Sequence, residues 1–325
     1  MPKAIRMHKA GGPEVLQWED VSIAKPAKGE ALVRHTACGL NYIDVYHRSG
    51  LYPIGALPIT IGMEGAGVVE AIGPEVTEVK VGDRVAYASV PLGAYAEQRL
   101  IPANRLVRLP SAISDHQAAA MMLQGMTVEY LVLRTYPVKR GDTILVHAAA
   151  GGVGLILCQW AKHLGATVIG TVGSDEKAAL ARSHGCDHPI VYTRENFAAR
   201  VRELTGGAGV PVVYDSVGKD TFDASLDCLK PRGLMVSFGN ASGPVPPFSI
   251  AVLGARGSLY LTRPSLVAYT ASREDLLMSA NALFDVVTKG AVKIEIRQTY
   301  PLKDAAQAHR DLEGRRTTGS TILLP

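Results

Sequence analysis

The residues best suited to chemistry lie between Thr143 and Lys177. Ala149-x-Gly151-x-x-Gly154 follows an apolar run, Thr143-Ile144-Leu145-Val146-His147, and precedes a helical run from Leu155 to Leu164. Gly151 lets a ligand approach the backbone, and Gly154 lets a helix pack closely on a strand. The helix start at Gly152 and Val153 offers N–H groups without intrahelical partners, and a positive potential. Together these suit a pyrophosphate. The spacing is that of the dinucleotide fingerprint, with Ala149 in place of its first glycine. A tight strand–helix turn without ligand is the competing reading, and the strand–turn–helix context favours the nucleotide. A membrane helix is excluded by the internal glycines, His147 and Gln159.

The second strand narrows the choice of dinucleotide. A fold that selects NAD places Asp or Glu near the end of this strand to hold the ribose 2′-hydroxyl. Here Gly173-Ser174 occupies that place, with Asp175 and Glu176 opening the next helix and Lys177 following. A missing carboxylate removes repulsion, and a hydroxyl with an ammonium suits a 2′-phosphate. The residues therefore point to NADPH.

Around this turn the elements alternate. Gly165 stops the first helix, and Thr167 to Val172 reads as a β-branched strand, completing a right-handed parallel βαβ unit. Further strands are expected at His188–Tyr192, Val210–Ser216, Leu234–Gly239 and Ser258–Leu261, with helices at Glu195–Thr205 and Thr221–Leu229. Six strands of this kind make a doubly wound parallel sheet in an α/β protein. Before it, short β-type runs (Glu30–Thr36, Gly67–Ile72, Arg84–Ala88) suggest an antiparallel, barrel-like domain. Ser114 and Gln117 form a capping box at a helix start, and another helix is expected at Thr127–Arg134. Beyond about Arg263 a helix presents Leu276, Leu277, Ala280, Leu283, Phe284 and Val287 on one face. The tail, ending in a strand at Ser320–Leu324, is expected to return to the first domain. The expected division is 1–125 and 265–325 for the barrel-like domain, with 126–264 inserted as the nucleotide domain.

Composition bounds the rest. The chain has 325 residues, 47% of them apolar and 20% charged, with a formal net charge of +4 and no run of Lys or Arg. This describes a globular protein of two ordinary domains that attracts small anions, with nucleic acid an unlikely main partner. Cys38, Cys158, Cys186 and Cys228 form no CxxC pair, so reduced thiols in a cytoplasmic setting are expected. The opening MPKAIRMHKAGG lacks an apolar signal core. No membrane association is expected.

Several motifs occur together in order: Gly39-Leu40-Asn41-Tyr42-Ile43-Asp44, Gly62-Met63-Glu64-Gly65-Ala66-Gly67, Val81-Gly82-Asp83-Arg84-Val85, the Ala-Ala-Gly-Gly-Val-Gly turn, Tyr214-Asp215-Ser216-Val217-Gly218 and Gly319-Ser320. In these the chain resembles the medium-chain dehydrogenase/reductase superfamily, and within it the zinc-free NADPH:quinone reductases related to zeta-crystallin. The resemblance implies a Rossmann sheet inserted in a GroES-like antiparallel domain. Zinc-dependent relatives place Cys and His where this chain has Asn41 and Met63, neither of which supplies the thiolate or imidazole that zinc prefers. Cys38 is three residues away, alone, and reads as a small buried hydrophobe. No metal site is expected. Without a Lewis acid the chemistry must suit a quinone or conjugated enone, which delocalises the incoming negative charge.

The resemblance also implies residue roles. Asn41, Tyr46, Tyr52 and Thr127 take catalytic or substrate-facing positions. Tyr42, Asp44, Gln124, Gly125 and Tyr130 take nicotinamide-side positions, and Gly151, Gly152, Val153 and Gly154 take the pyrophosphate. Gly173, Ser174, Lys177 and Tyr192 form the 2′-phosphate corner, with Ser216, Phe238, Gly239, Asn240, Leu261, Arg263 and Arg315 as further cofactor contacts. Tyr192 reads equally as a core aromatic at a strand end, Tyr46 and Tyr52 as packing residues, and Arg315 with Arg316 as a solvated pair. The implied activity is NADPH-dependent quinone reduction. Enoyl or enone C=C reduction, and an RNA-binding or structural crystallin-like role, stand as alternatives. A homodimer paired through Ser258–Leu261 is the implied assembly.

Overall fold

The computed structural model describes residues 1–325, which form two compact units. The first comprises Met1–Met126, Thr270–Thr288 and Ile294–Pro325, and the second Thr127–Tyr269 and Lys289–Lys293. No helix is long and apolar enough to cross a membrane.

Continuous apolar runs are what a strand needs when both faces of its sheet are covered, and the second unit is built from such runs. Its six parallel strands lie in the order His188–Val191, Thr167–Val172, Thr143–Val146, Val210–Asp215, Leu229–Ser237, Tyr260–Thr262. That is the doubly wound order in which ligands bind at the carboxyl ends of the strands. Every residue of Val210–Asp215 is buried. Leu145, Ile169, Val213 and Met235 anchor the core, each contributing roughly 1.5–3 kcal/mol by burial. Helix Gly152–His163 ends in a left-handed Gly165, with Gly165 N–H donating to Lys162 O and Ala166 N–H to Ala161 O. This paired closure needs a residue tolerant of positive φ at 165.

The first unit carries a seven-stranded sheet. Glu30–Leu40 pairs antiparallel with Glu64–Ile72, Gln98–Pro102 and Ser320–Leu324. The tail is thereby stitched to residues near the start of the chain. The sheet is antiparallel except that Ile296–Pro301 runs parallel to Ser320–Leu324. A small second sheet joins Gln17–Asp20, Lys3–Met7 and Ile59–Thr60.

Several boundaries differ from those read in the sequence. Ser114 accepts Gln117 N–H at 3.2 Å and opens helix Asp115–Ala119 as expected. The following helix begins at Met122 rather than Thr127 and passes into a π-helical turn at Tyr130–Thr135. Gly125 lies within this helix, and Leu283 packs where its side chain would be. The strand expected from Leu234 begins at Leu229, which pairs with Val210 ahead of an irregularity containing left-handed Arg232. The last strand starts at Tyr260, since Gly257 and Ser258 both take positive φ in the preceding turn. Helix Phe197–Leu204 starts two residues late, where Asn196 Oδ1 accepts Ala199 N–H. On helix Arg273–Thr288, Val286 and Ser279 are buried, while Val287 and Leu277 are half-buried. Tyr269 lies beyond the 264 boundary but belongs to the second unit, stacked on Tyr130 with ring centroids 4.4 Å apart. All four cysteines are buried and free, and Cys158 lies within hydrogen-bonding reach of Cys186.

Candidate functional site

The second unit gathers the nucleotide-type residues at the carboxyl ends of its strands. After Thr143–Val146 the backbone turns through Ala148, held in the left-handed region at φ 53°, to Gly151 at the helix N-cap. A Cβ on Gly154 would collide with Ala148 O and lie 2.7 Å from the Ala149 carbonyl carbon, so only glycine closes this turn. The alanine at the first fingerprint position is accommodated by the neighbouring strand. Gly170 leaves the space that the Ala149 methyl fills, since a Cβ there would lie 2.6 Å from Ala149 Cβ. No side chain caps helix Gly152–His163, whereas Ser174 and Asn196 cap the helices that follow the next two strands. The N–H groups of Gly152 and Val153 are thus left for an anion.

Behind the turn, buried His147 ties three elements together. Ser225 Oγ donates to Thr221 O at 2.6 Å, so it accepts His147 Nε2–H at 2.8 Å; Nδ1 then accepts the Thr171 hydroxyl at 2.8 Å. Burial lowers the His147 pKa and keeps the ring neutral. Asp215 Oδ1 accepts Val217 N–H and Gly218 N–H, shaping the loop that begins at Ser216. Gly239 lies against Ser216, where a Cβ would meet Ser216 Cα at 2.8 Å. Phe238 N–H donates to Asp215 O, Ala241 N–H to Ser216 O, and Arg263 Nη1 to Ser237 O at 2.8 Å. Ser216, Phe238, Gly239, Asn240 and Arg263 are therefore brought to one edge, with Leu261 part-exposed one strand further out.

At the second strand end, Ser174 Oγ accepts Lys177 N–H at 3.3 Å. Gly173 makes room for Tyr192, whose hydroxyl would lie 3.0 Å from a Cβ there. Tyr192 is 41% exposed, so it is not the core aromatic of the competing reading. Asp175 is paired with Arg194 at 2.6 and 2.7 Å, which holds its carboxyl below the usual range. Arg194 escaped the sequence reading; its signal was a cation two residues past Tyr192.

In the first unit, Asn41 caps helix Tyr42–Ser49 at the end of Glu30–Leu40. Its Nδ2 donates to Glu64 Oε2 at 2.6 Å, and its Oδ1 accepts Gln124 Nε2–H at 3.1 Å. Gln124 Oε1 accepts the Ser320 hydroxyl at 2.7 Å, and Glu64 Oε1 accepts Leu123 N–H at 2.8 Å. Glu64 and Ser320 are the residues that sequence reasoning missed here. Asp44 has no exposed surface: its Oδ2 accepts Asn41 N–H at 2.9 Å and Tyr95 O–H at 3.0 Å. Contrary to a direct ligand contact, it acts through the Asn41 backbone. His309 Nε2 donates to Tyr95, and Nδ1 accepts from Arg48, which grips Glu313 through two 2.8 Å bonds. Tyr46 is buried on helix Tyr42–Ser49, and Tyr52, just past the helix end, lies against it with ring centroids 5.0 Å apart. Tyr42 O–H and Arg315 N–H both donate to Leu312 O, and Arg316 pairs with Asp311 at 2.7 Å. Thr127 is buried in the second unit as a hydrogen-bond partner of Tyr130.

The zinc positions do not fit a metal. Asn41 offers an amide already bonded on both sides, and Met63 offers a buried thioether. The Cys38 thiol donates to Ala94 O, and burial pushes its pKa up to about 12. No group of three or more His, Cys, Asp or Glu side chains is arranged to hold a metal ion.

Burial raises Glu64 to about 8 and Asp44 to about 7, against the lowering by their N–H donors. Buried His35 and His309 are lowered to about 4 and about 3. Only above about pH 7.5 are these histidines neutral in folded and unfolded chains alike. The unfolded carboxyls have by then lost protons that the folded ones retain, so stability falls as pH rises towards about 8. Melting curves should show Tm declining across this window; a rising Tm would contradict the assignment.

Residues 152–275 match the zinc-binding dehydrogenase family and residues 27–111 the alcohol dehydrogenase GroES-like domain. The chain is 56% identical to a quinone oxidoreductase of Pseudomonas aeruginosa, over 100% of both chains. It is 48% identical to the 2-haloacrylate reductase of a Burkholderia species, over 100% of this chain and 99% of that one. The crystal structure of Escherichia coli quinone oxidoreductase complexed with NADPH is 51% identical, with a TM-score of 0.98 over 99% of this chain and 100% of that one. The protein belongs to the medium-chain dehydrogenase/reductase superfamily, among its quinone oxidoreductases.

Proposed function

We infer that the chain reduces quinones with NADPH and without zinc. One observation carries this reading. An intact dinucleotide cradle is kept in a chain whose metal positions hold Asn41 and Met63, bonded or buried in ways that suit no zinc. When bound, NADPH supplies the hydride. Gly151, Gly152, Val153 and Gly154 receive the pyrophosphate, and Ser174, Lys177 and Tyr192 the 2′-phosphate, supported by the absence of a carboxylate at the strand end. Ser216, Phe238, Gly239, Asn240, Leu261, Arg263, Thr127 and Tyr130 complete the second unit's share. Asn41, Gln124, Tyr46 and Tyr52 are the first unit's polar and aromatic groups for the acceptor, with Gly125, Tyr42 and Arg315 beside them. The amide of Asn41 is the group placed to meet negative charge developing on a carbonyl oxygen.

Reduction of an electron-poor alkene is a second reading, favoured by the 48% identity to a 2-haloacrylate reductase. It asks nothing different of the cradle. The buried, reduced thiols accord with a cytoplasmic enzyme. The edge strand Tyr260–Thr262, with Tyr260 and Leu261 exposed, is the proposed seam for a second copy; a monomer in sedimentation would exclude it.

Fluorescence titration tests the cofactor half of the reading. NADPH should bind at least about tenfold more tightly than NADH, and Lys177→Ala should remove about tenfold of that preference, one charge-assisted contact. Equal affinity for the two dinucleotides would exclude the phosphate corner.

A further inference from the structure

The four polar side chains Ser320, Gln124, Asn41 and Glu64 form a rail in which every hydrogen bond runs the same way. Ser320 donates to Gln124, Gln124 to Asn41, and Asn41 to Glu64. All four are buried. An amide can be turned over with little change of shape, because its oxygen and NH2 group differ chiefly in hydrogen-bond sense. The direction of the rail must therefore be set at an end that cannot turn over. The Ser320 hydroxyl is no such end, since it both donates and accepts.

The other end is different. Glu64 Oε1 faces Leu123 N–H, a backbone donor that cannot reverse, at the start of helix Met122–Glu129. Above its raised pKa of about 8 the carboxylate is ionised, with two acceptor oxygens and no donor. The atom of Asn41 that faces Oε2 must then be NH2, the atom facing Gln124 must be oxygen, and Gln124 must in turn present NH2 to Asn41. Space enforces the contact: a Cβ on Gly39 would lie 2.6 Å from the Glu64 carboxyl carbon, so glycine at 39 is what admits the carboxylate beside Asn41.

We propose that Glu64 is a positioning residue that fixes which way round Asn41 and Gln124 stand, and so on which side Asn41 presents its remaining N–H. This rests on the functional reading above, in which that N–H meets the acceptor's carbonyl oxygen. It also supplies a reason for a buried acidic side chain beside Asn41.

The rail permits a test that separates direction from stability. In Glu64→Gln, the new Oε1 can keep Leu123 N–H only by facing its NH2 towards Asn41, which then meets donor with donor unless Asn41 and Gln124 both turn over. Adding Gln124→Glu moves the acceptor-only group to the other side of Asn41. Asn41 Oδ1 then accepts from Gln at 64, Asn41 NH2 donates to Glu at 124, and Ser320 donates as before. The double variant has every bond of the rail satisfied and Asn41 reversed.

The measurements are Tm, NADPH affinity by fluorescence, and kcat with a para-benzoquinone at about pH 9, where most of the wild-type carboxyl is ionised. Each single variant should melt lower than wild type. The double variant should recover the wild-type Tm yet keep a kcat at least about tenfold low, the scale of losing one aligned donor to developing charge. Recovery of kcat together with Tm would overturn the proposal and leave the rail purely structural. If the double variant does not recover its Tm, Glu64→Gln alone decides, assayed below its own Tm. Lowered kcat with unchanged NADPH affinity supports the proposal, and unchanged kcat overturns it. Wild-type turnover measured alongside separates the two claims, because a wild type that reduces no quinone refutes the functional reading itself.

Discussion

Gly154→Ala should abolish dinucleotide binding and lower the stability of the second unit. The methyl group would have to enter space already held by Ala148 O and by the Ala149 carbonyl carbon and Cα, both within 2.8 Å of the new atom. These are backbone atoms of a turn already carrying left-handed Ala148, so no side chain can swing away. Either helix Gly152–His163 lifts from the strand, or the turn opens; both move the N–H groups that receive the pyrophosphate. A displacement of about 1 Å at such a site costs on the order of a hundredfold in function. Gly254→Ala is the matched control, because nothing lies within 4 Å of its Cβ and it sits in a short helix. It should be neutral, or stabilising by up to about 1 kcal/mol. NADPH titration and thermal melting of the two variants check this; wild-type affinity in Gly154→Ala would refute the cradle geometry.

The second large effect lies in the first unit. Arg48 is 2% exposed, donates to Gly11 O at 3.1 Å, bonds His309 Nδ1 and holds Glu313 through both carboxylate oxygens. Arg48→Met keeps the bulk and removes every donor. Gly11 O and His309 Nδ1 are then left unpaired in the interior, and each such group costs about 1–3 kcal/mol. Glu313 loses its partner at the surface, where water can replace it. The expected loss is about 3 kcal/mol, a fall in Tm on the order of 5–10 °C. NADPH affinity should survive below the new Tm, since the dinucleotide cradle lies in the other unit. A Tm within about 1 °C of wild type would show that the guanidinium contributes nothing net.

The features legible in sequence were the local ones. Gly165 and the Ser114/Gln117 box were readable because a cap involves residues only a few positions apart. The parallel strands were readable because a strand covered on both faces needs a continuous apolar run. Where tertiary packing decides, local signals misled. The strand expected from Ser258 starts only at Tyr260, because Gly257 and Ser258 take positive φ in the turn before it. The fingerprint's missing first glycine had its explanation in Gly170, on the neighbouring strand and twenty-one positions away. Asn41 and Gln124 were reached through a family resemblance, yet the side chains they bond are Glu64 and Ser320. The Ser320–Gln124 bond spans 196 positions, and no periodicity or spacing rule reports a pairing at that separation. Asp44 reads in sequence as a cofactor contact, whereas the structure buries it fully and bonds it to the Asn41 backbone.

The most direct test of zinc-free, NADPH-dependent quinone reduction is turnover by chelator-treated protein. NADPH absorbance would be followed with a para-benzoquinone or a conjugated enone as acceptor, and NADH run in parallel. Oxidation of NADPH dependent on protein and acceptor, undiminished by the chelator and at least about tenfold slower with NADH, is the predicted result. NADPH that binds but is oxidised by no quinone or enone, or activity that appears only when zinc is added, would contradict it.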